Sequence, residues 1–354
     1  GIPLDDLISQ CHAVLSRRGE ATGLALAGSV VASWQALESN QHLSFFQALI
    51  EEFGPDQERL EQAIADYQKS VGDINVMRLH QAAEAKRQEL FRRINAAPNG
   101  LQTLILMREA LRRLLHEHPE LKPIDQDLVH LFTSWFNKGF LRLERIDWQT
   151  PAAVLEKLIQ YESVHEIQGW DDLRRRLAED RLCFAYFHPV IPDEPLIFVE
   201  VALVQGMSDA IAPLLDSPPA PPIAADTAVF YSINNCQPGL AGVSFGNLLI
   251  KQVVSVLLAE HSRLKRFVTL SPIPGLRLWL ETEGREFLHR FESSDDETAL
   301  KSIVAQYLTL GHGARLRDPV ARFHLGNGAT LEQINANADL SSRGQQQSFG
   351  FMVN

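Results

Sequence analysis

The hydrophobic pattern between residues 229 and 279 changes from that of a strand to that of a helix and back again. Residues 229–233 are β-forming and precede the turn-rich run NNCQPG, so we predict a strand that ends there. After Phe245 the apolar positions recur every three or four residues, which predicts a helix with one buried face. These positions are Leu248, Leu249, Val253, Val256 and Leu257. A second short strand is predicted at 267–270, before the run SPIPG.

This order of strand, glycine-bearing loop, helix and strand predicts two parallel strands that are neighbours in a sheet. Ser232 and Ser271 then lie near the same carboxyl edge, where open α/β sheets bind ligands. The loop contains Gly239, Gly242 and Gly246, which would let backbone amides approach an anion at the start of the helix. The spacing leaves two interpretations open: a binding loop for a phosphate-bearing ligand, or plain turn chemistry.

The first part of the chain has helical spacing throughout. Residues 1 to about 145 contain no strand pattern, and their apolar positions predict one long helix from Val76 to Ile94, a second through Leu104–Leu114 and a third at Asp125–Phe136. The basic residues here, Arg108 among them, interleave with glutamates. That mixture favours a solvated helix face or a subunit contact over a nucleic-acid site.

From Arg181 onwards the pattern becomes that of strands. Residues 183–189 and 195–204 predict an antiparallel hairpin, and the proline-rich run SPPAPPIAA predicts an exposed loop before the central unit. Near the end of the chain, Thr330 is predicted to cap a helix that begins at LEQINA. We therefore predict two domains, an all-α scaffold at 1–150 and an α+β domain with a mixed sheet at 151–354.

Composition and charge narrow the class of protein. The chain has 354 residues and a net charge of −11, which disfavours a general nucleic-acid binder, since polyphosphate backbones need a basic field. Its three cysteines lack metal-ligand or redox spacing, so we expect a reducing compartment and no metal site. No apolar run has the length of a membrane span, and the N-terminus does not resemble a targeting segment. A cytoplasmic protein is the prediction.

Four segments carry a resemblance to a known family. FYSIN, QPGLAGVSFGNLLIKQVV, TLSPIPG and DPVARFHLGNGA resemble the malonyl-CoA decarboxylases, and SPIPG together with FHLGNGA is specific to them. The resemblance implies an α-helical first domain through which subunits pack as a homo-oligomer, a dimer or tetramer. It also implies a catalytic domain similar to GNAT-type N-acetyltransferases. The implied reaction converts malonyl-CoA to acetyl-CoA and CO2 through a thioester enolate, with the thioester itself as electron sink and no metal or organic cofactor.

The resemblance also implies the site residues. Ser271 and His324 match the family's active-site serine and histidine and would form a hydrogen-bonded dyad, with His324 as proton source because its pKa is expected near neutrality. Ser232 matches a further active-site serine that would donate to the thioester oxygen or orient the malonyl group. The CoA-binding residues implied for the glycine-bearing loop are Gln237, Gly239, Leu240, Ala241, Gly242 and Gly246. At Ser244 some members carry glutamate, and a further family tyrosine would lie beyond Asn354.

Other functions are weaker but stay open. Residues 242–246 match G-x-S-x-G, yet a nucleophile elbow needs the strand to run directly into the serine, and about ten residues of loop intervene here. An acyl-CoA-dependent N-acyltransferase of the same fold is the first alternative, although SPIPG and FHLGNGA do not belong to its usual pattern. A non-catalytic CoA-binding scaffold, in which the helical domain is the working part, is the second.

Overall fold

The computed structural model describes residues 4–16, 19–311 and 316–354. The chain divides into two compact units. The first comprises residues 1–141, 188–192 and 237–245, and the second comprises 142–187, 193–236 and 246–354. The division therefore falls after residue 141 rather than at 150, and part of the glycine-bearing loop groups with the helices.

Helices form the first unit. They are α1 (Leu4–Ser16), α2 (Glu20–Gln35), α3 (His42–Glu51), α4 (Gln57–Lys69), α5 (Asp73–Ala83), α6 (Lys86–Ala96), α7 (Gly100–Leu114) and α8 (Lys122–Trp135). Of the apolar positions predicted for α7, Leu104, Met107 and Leu111 are buried and Leu114 is half-buried. Leu101 and Ile105 are buried beside them.

The single long helix predicted from Val76 to Ile94 is wrong, because α5 ends at Ala83 and α6 starts at Lys86. The amides of Lys86 and Arg87 donate to the carbonyls of Gly54 and Phe53, at 3.1 and 2.9 Å. These hydrogen bonds to a distant turn satisfy the first donors of α6, which would otherwise continue the preceding helix.

The second unit is built on a five-stranded sheet. Its elements are β1 (Arg142–Ile146), α9 (Ala152–Tyr161), α10 (Trp170–Arg176), β2 (Arg181–Phe187), β3 (Ile197–Val204), α11 (Ala212–Asp216), β4 (Thr227–Asn235), α12 (Gly246–Glu260), β5 (Arg266–Thr269), β6 (Ser271–Pro272), α13 (Leu276–Thr282), α14 (Arg285–Ser293), α15 (Glu297–Leu308), α16 (Pro319–Gly326), β7 (Ile334–Asn335), α17 (Ser342–Ser348) and β8 (Met352–Val353).

The large sheet has the strand order β1-β2-β3-β4-β5. Strands β1 to β4 pair antiparallel, whereas β4 and β5 pair parallel from Thr227↔Arg266 to Phe230↔Thr269. The hairpin and the parallel neighbour are thus confirmed. The prediction of helices alone up to about 145 is wrong at its end, because β1 begins at Arg142 and forms an edge strand.

A second, small sheet continues from the end of β5. Its order is β6-β8-β7, so the last strand of the chain lies between β6 and β7. The helix predicted after Thr330 is wrong, since that segment leads into β7 and the amide of Glu332 donates to the carbonyl of Asn354. Helices α13, α15 and α16 pack together here around a buried core that includes Leu276, Leu280, Val304, Tyr307 and Ala321.

Within the described residues, no helix is long and apolar enough to cross a membrane.

Candidate active site

Ser271 and His324 meet in the second unit. The Ser271 Oγ and the His324 Nε2 lie 3.4 Å apart, within hydrogen-bonding distance. Ser271 is the first residue of β6 and is held by its pairing with Val353 of β8. His324 lies in the last turn of α16. The fold therefore brings together the two residues that the family resemblance predicts as a dyad.

Asp318 ties the segments that carry this pair. Its Oδ1 accepts hydrogen bonds from the amides of Val320 and Ala321, at 3.0 Å each, and so caps the start of α16. Its Oδ2 accepts from the Tyr307 hydroxyl at 3.3 Å and from the Gly275 amide, in the SPIPG turn, at 3.4 Å. Burial raises the pKa of Asp318 above its usual value. One carboxylate thus joins the loop after Ser271 to the helix of His324.

The same junction explains why SPIPG ends in glycine. A Cβ at Gly275 would lie 2.2 Å from the Tyr307 hydroxyl oxygen. Any larger residue would therefore displace the hydroxyl that Asp318 binds.

The protonation state of His324 differs from the prediction. Burial lowers its pKa from 6.5 to about 4, because a desolvated imidazole disfavours the charged form. At neutral pH His324 is therefore an uncharged imidazole in the free protein. The prediction that it would be a ready proton source with a near-neutral pKa is wrong for this state.

Gly246 reaches the same region from α12. A Cβ at Gly246 would lie 3.1 Å from the Ile197 Cδ1 and 3.2 Å from the Phe323 ring. Phe323 in turn contacts the His324 ring edge-on, with centroids 5.0 Å apart. The N-terminus of α12 therefore packs directly against the residue that precedes His324.

Ser232 has a different environment from the one predicted. It is buried in β4, and its hydroxyl donates to the Glu162 carboxylate, whose two oxygens both lie 2.9 Å away. A hydroxyl has one proton, so in this structure Ser232 does not offer a donor to a thioester oxygen. Along the chain, Ser232 and Ser271 each stand two residues beyond the last parallel pair, Phe230↔Thr269.

The glycine-bearing loop from Gln237 to Val243 lies in the first unit and is held by α7. A Cβ at Gly239 would lie 2.0 Å from the Ile105 carbonyl oxygen, so only glycine fits there. The amides of Leu240 and Ala241 donate to carbonyls within the loop, at 2.9 and 3.3 Å. The prediction that these two amides bind a pyrophosphate is not met in this conformation.

Arg108 contacts this loop, and its environment differs from the solvated helix face or subunit contact that was predicted. It is buried, pairs with Asp125 at 2.8 Å, and donates to the carbonyls of Gly239 and Ala241 at 2.9 and 2.6 Å. The signal was its position four residues after Leu104, on the apolar stripe of α7 rather than on the solvated face. Arg108 therefore fixes the shape of the loop.

Two family models match the chain. The model of the malonyl-CoA decarboxylase C-terminal domain matches residues 139–306 and 289–354, and that of the N-terminal domain matches 53–136. The chain belongs to the malonyl-CoA decarboxylase family. This agrees with the resemblance seen in its motifs, and the helical first unit followed by a mixed-sheet unit agrees with solved members of the family.

Solved and curated relatives give the extent of the likeness. A malonyl-CoA decarboxylase from Rhodopseudomonas palustris is 48% identical with a TM-score of 0.92, and the match covers 100% of this chain and 92% of that one. One from Agrobacterium vitis is 45% identical with a TM-score of 0.89, covering 98% and 91%. The mitochondrial malonyl-CoA decarboxylase of Anser anser anser is 35% identical over 319 residues, 75% of this chain and 62% of that protein. The chain thus spans less than two thirds of the length of this curated relative.

Proposed function

We propose that the chain decarboxylates malonyl-CoA to acetyl-CoA and CO2, with Ser271 and His324 as the catalytic pair. The observation that carries the proposal is the 3.4 Å contact between Ser271 Oγ and His324 Nε2 just beyond the parallel strands β4 and β5. Membership in the malonyl-CoA decarboxylase family supports the substrate.

The reaction breaks the bond between the terminal carboxylate and the central carbon of the malonyl group. The electron pair passes to the thioester carbonyl, CO2 leaves, and the resulting enolate takes a proton at carbon to give acetyl-CoA. Since the thioester is the electron sink, the reaction uses no metal or organic cofactor. The protein has to stabilise the enolate oxygen, supply the proton and keep water from the departing carboxylate.

His324 supplies the proton only after substrate has bound. In the free protein its imidazole is neutral, because burial lowers its pKa to about 4. The malonyl carboxylate brings a negative charge into this buried place and favours the imidazolium form, so a proton is taken up from solvent. Once CO2 leaves, that charge moves to the enolate, and the proton follows to carbon. The Ser271 hydroxyl, 3.4 Å from His324 Nε2, donates to the enolate oxygen.

The finer features of the predicted architecture belong to the same proposal. The second unit is an N-acetyltransferase-like domain, which is supported by antiparallel strands β1 to β4 followed by one parallel neighbour. Gly246 starts the 15-residue helix α12, whose N-terminal dipole favours a CoA phosphate. Gln237, Gly239 and Gly242 remain predicted CoA contacts.

Oligomerisation and location complete the proposal. The chain forms a homo-oligomer through its helical unit, supported by the exposed apolar side chains of Val71, just before α5, and of Ile74 and Met77 in its first half. It works in the cytoplasm, supported by its three cysteines, which are all free and buried.

The test is release of acetyl-CoA and CO2 from malonyl-CoA by the purified protein, with and without a chelator. We expect turnover that the chelator leaves unchanged and that falls by about a hundredfold in Ser271→Ala and in His324→Ala, as for loss of a general acid or its partner. Ser255→Ala is the matched control, because Ser255 is an exposed serine on α12 that bonds only within its helix. A folded protein that binds CoA but releases no CO2 would overturn the proposal.

A further inference from the structure

The Ser232 hydroxyl lies on a buried group of charged side chains. Glu162, Arg176 and Glu200 are each at most 5% exposed, and Ser232 is 1% exposed. Buried charges are costly unless they are paired and hydrogen-bonded, so such a group calls for an explanation. The dyad does not use these residues.

Glu162 is the centre of the group. Its Oε1 accepts from the amides of Val164 and His165 at 2.8 Å each, and its Oε2 accepts from Asn234 Nδ2 at 2.8 Å. Both oxygens lie 2.9 Å from the Ser232 Oγ. Glu162 is therefore surrounded by hydrogen-bond donors, which compensate for its burial.

The Arg176 guanidinium lies among the carboxylates of this group. Arg176 is the cation of the cluster and lies 3.2 Å from Glu200, 3.2 Å from Asp172 and 3.9 Å from Glu162. Three carboxylates thus share one guanidinium. Burial and the nearby Glu162 raise the pKa of Glu200 well above its usual value. The two Glu162 oxygens are occupied by four donors, the amides of Val164 and His165, the Asn234 side chain and the Ser232 hydroxyl.

Local backbone structure places Ser232 within this group. Ser232 is the register partner of Glu200 across β3 and β4, and the register shifts immediately beside this pair, between Glu200 and Val201. A bulge of this kind re-aims the side chains next to it. Asn234, two residues further along β4, donates to the Ser232 Oγ at 2.9 Å as well as to Glu162.

From these contacts we infer that Glu162 is a positioning residue for Ser232, which it locks as a hydrogen-bond acceptor in the active site. The Ser232 proton is directed to Glu162 and one Ser232 lone pair is taken by Asn234. One lone pair of the Ser232 Oγ is then left, and it can only accept a hydrogen bond. Ser232 therefore receives a hydrogen bond from an N–H of the acyl-CoA arm rather than donating one to the thioester oxygen. This inference rests on the proposed function.

The experiment measures kcat and KM for malonyl-CoA in Glu162→Gln, in Ser232→Ala and in the double variant. The side-chain amide introduced by Glu162→Gln can donate to the Ser232 Oγ, which frees the serine proton to turn elsewhere. We expect kcat/KM to fall on the order of tenfold to a hundredfold in each single variant, as for a misplaced binding group. The double variant should lose no more than the worse single variant, since both changes break the same link.

Glu194→Gln is the matched control, because Glu194 is a mostly buried glutamate of the same unit that pairs with Lys157 at 2.6 Å. It should keep the wild-type kcat/KM, and thermal unfolding of every variant shows which ones are folded. Ser232→Ala removes few atoms and keeps the test decisive if Glu162→Gln unfolds. Wild-type kinetics in folded Ser232→Ala, or losses that multiply in the double variant, would overturn the inference. Failure of the wild-type protein to release CO2 would instead contradict the proposed function.

Discussion

His324 should change its protonation state when the malonyl group enters the site. In the free protein burial holds its pKa at about 4. The perturbation we consider is binding of sulfoacetyl-CoA, in which a sulfonate replaces the carboxylate. This analogue carries the same negative charge beside the thioester and cannot lose CO2. Acetyl-CoA is its matched control, because it has the same thioester and CoA but lacks the charged sulfonate.

The size of the shift follows from Coulomb's law. A unit charge about 4 Å from the imidazolium, at an effective dielectric constant of about 20, contributes about 4 kcal/mol. Since one pKa unit corresponds to about 1.4 kcal/mol, the pKa should rise by roughly 3 units. Starting from about 4, it reaches about 7, which is suited to a general acid at neutral pH.

The assay is a pH titration of the His324 side chain by NMR, in protein labelled with 15N at histidine and assigned with His324→Asn. We expect a pKa near 4 in the free protein and with acetyl-CoA, and a value near 7 with sulfoacetyl-CoA. Calorimetry at a pH midway between the two pKa values, in buffers of different ionisation enthalpy, should show uptake of about one proton for the sulfonate alone. A pKa that stays below 5 with sulfoacetyl-CoA bound would refute the argument that substrate charge loads the proton.

Three further predictions follow from single contacts. Asp318→Asn weakens the bonds to Gly275 and to the start of α16, so kcat should fall about tenfold with little change in KM, measured by CO2 release. Gly239→Ala should destabilise the protein by more than about 2 kcal/mol in urea unfolding, because its Cβ would lie 2.0 Å from a carbonyl oxygen, whereas Gly28→Ala meets nothing within 4 Å and should be neutral or stabilising. The pKa of His324 is lower in the folded protein than the 6.5 of an exposed histidine, so the unfolded state binds the extra proton as the pH falls. The contribution of His324 to the free energy of unfolding should therefore be fully present above pH 6.5 and fall by up to about 3 kcal/mol towards pH 4. His324→Asn should lose this part of the dependence of stability on pH.

The elements that the sequence predicted well are those set by local pattern. The strand, helix and strand between residues 229 and 270 could be predicted from the spacing of apolar positions and from turn residues alone. The two strands pair in parallel, as expected. Ser271 and His324 were identified through sequence motifs, which can be recognised without knowledge of the fold.

The features that were missed depend on contacts between distant segments. The break at Lys86 comes from a turn more than thirty residues away, and the strand at Arg142 forms because β2 offers it an edge. Arg108 was assigned to a solvated helix face or a subunit contact because glutamates interleave with the basic residues there, yet its helix buries it against the loop that contains Gly239. The low pKa of His324 also arises from burial, which no local pattern encodes.

Ser232 shows the same limit within the candidate site. Its position was predicted from FYSIN, but its partner Glu162 lies 70 residues earlier in the chain. Such a partner determines whether a serine hydroxyl can donate a hydrogen bond to a ligand or only accept one. The sequence therefore indicated the residue, and the fold indicates its hydrogen-bonding role.

The most direct test of the central claim, that Ser271 and His324 act together in decarboxylation, is the rate of CO2 release by the Ser271→Ala/His324→Ala double variant. Residues that act as one unit show strongly non-additive effects. The rate of the double variant should lie within about threefold of the rate of the slower single variant. If the two losses multiply instead, to about 10⁴-fold from about a hundredfold each, the residues act independently and the dyad is contradicted.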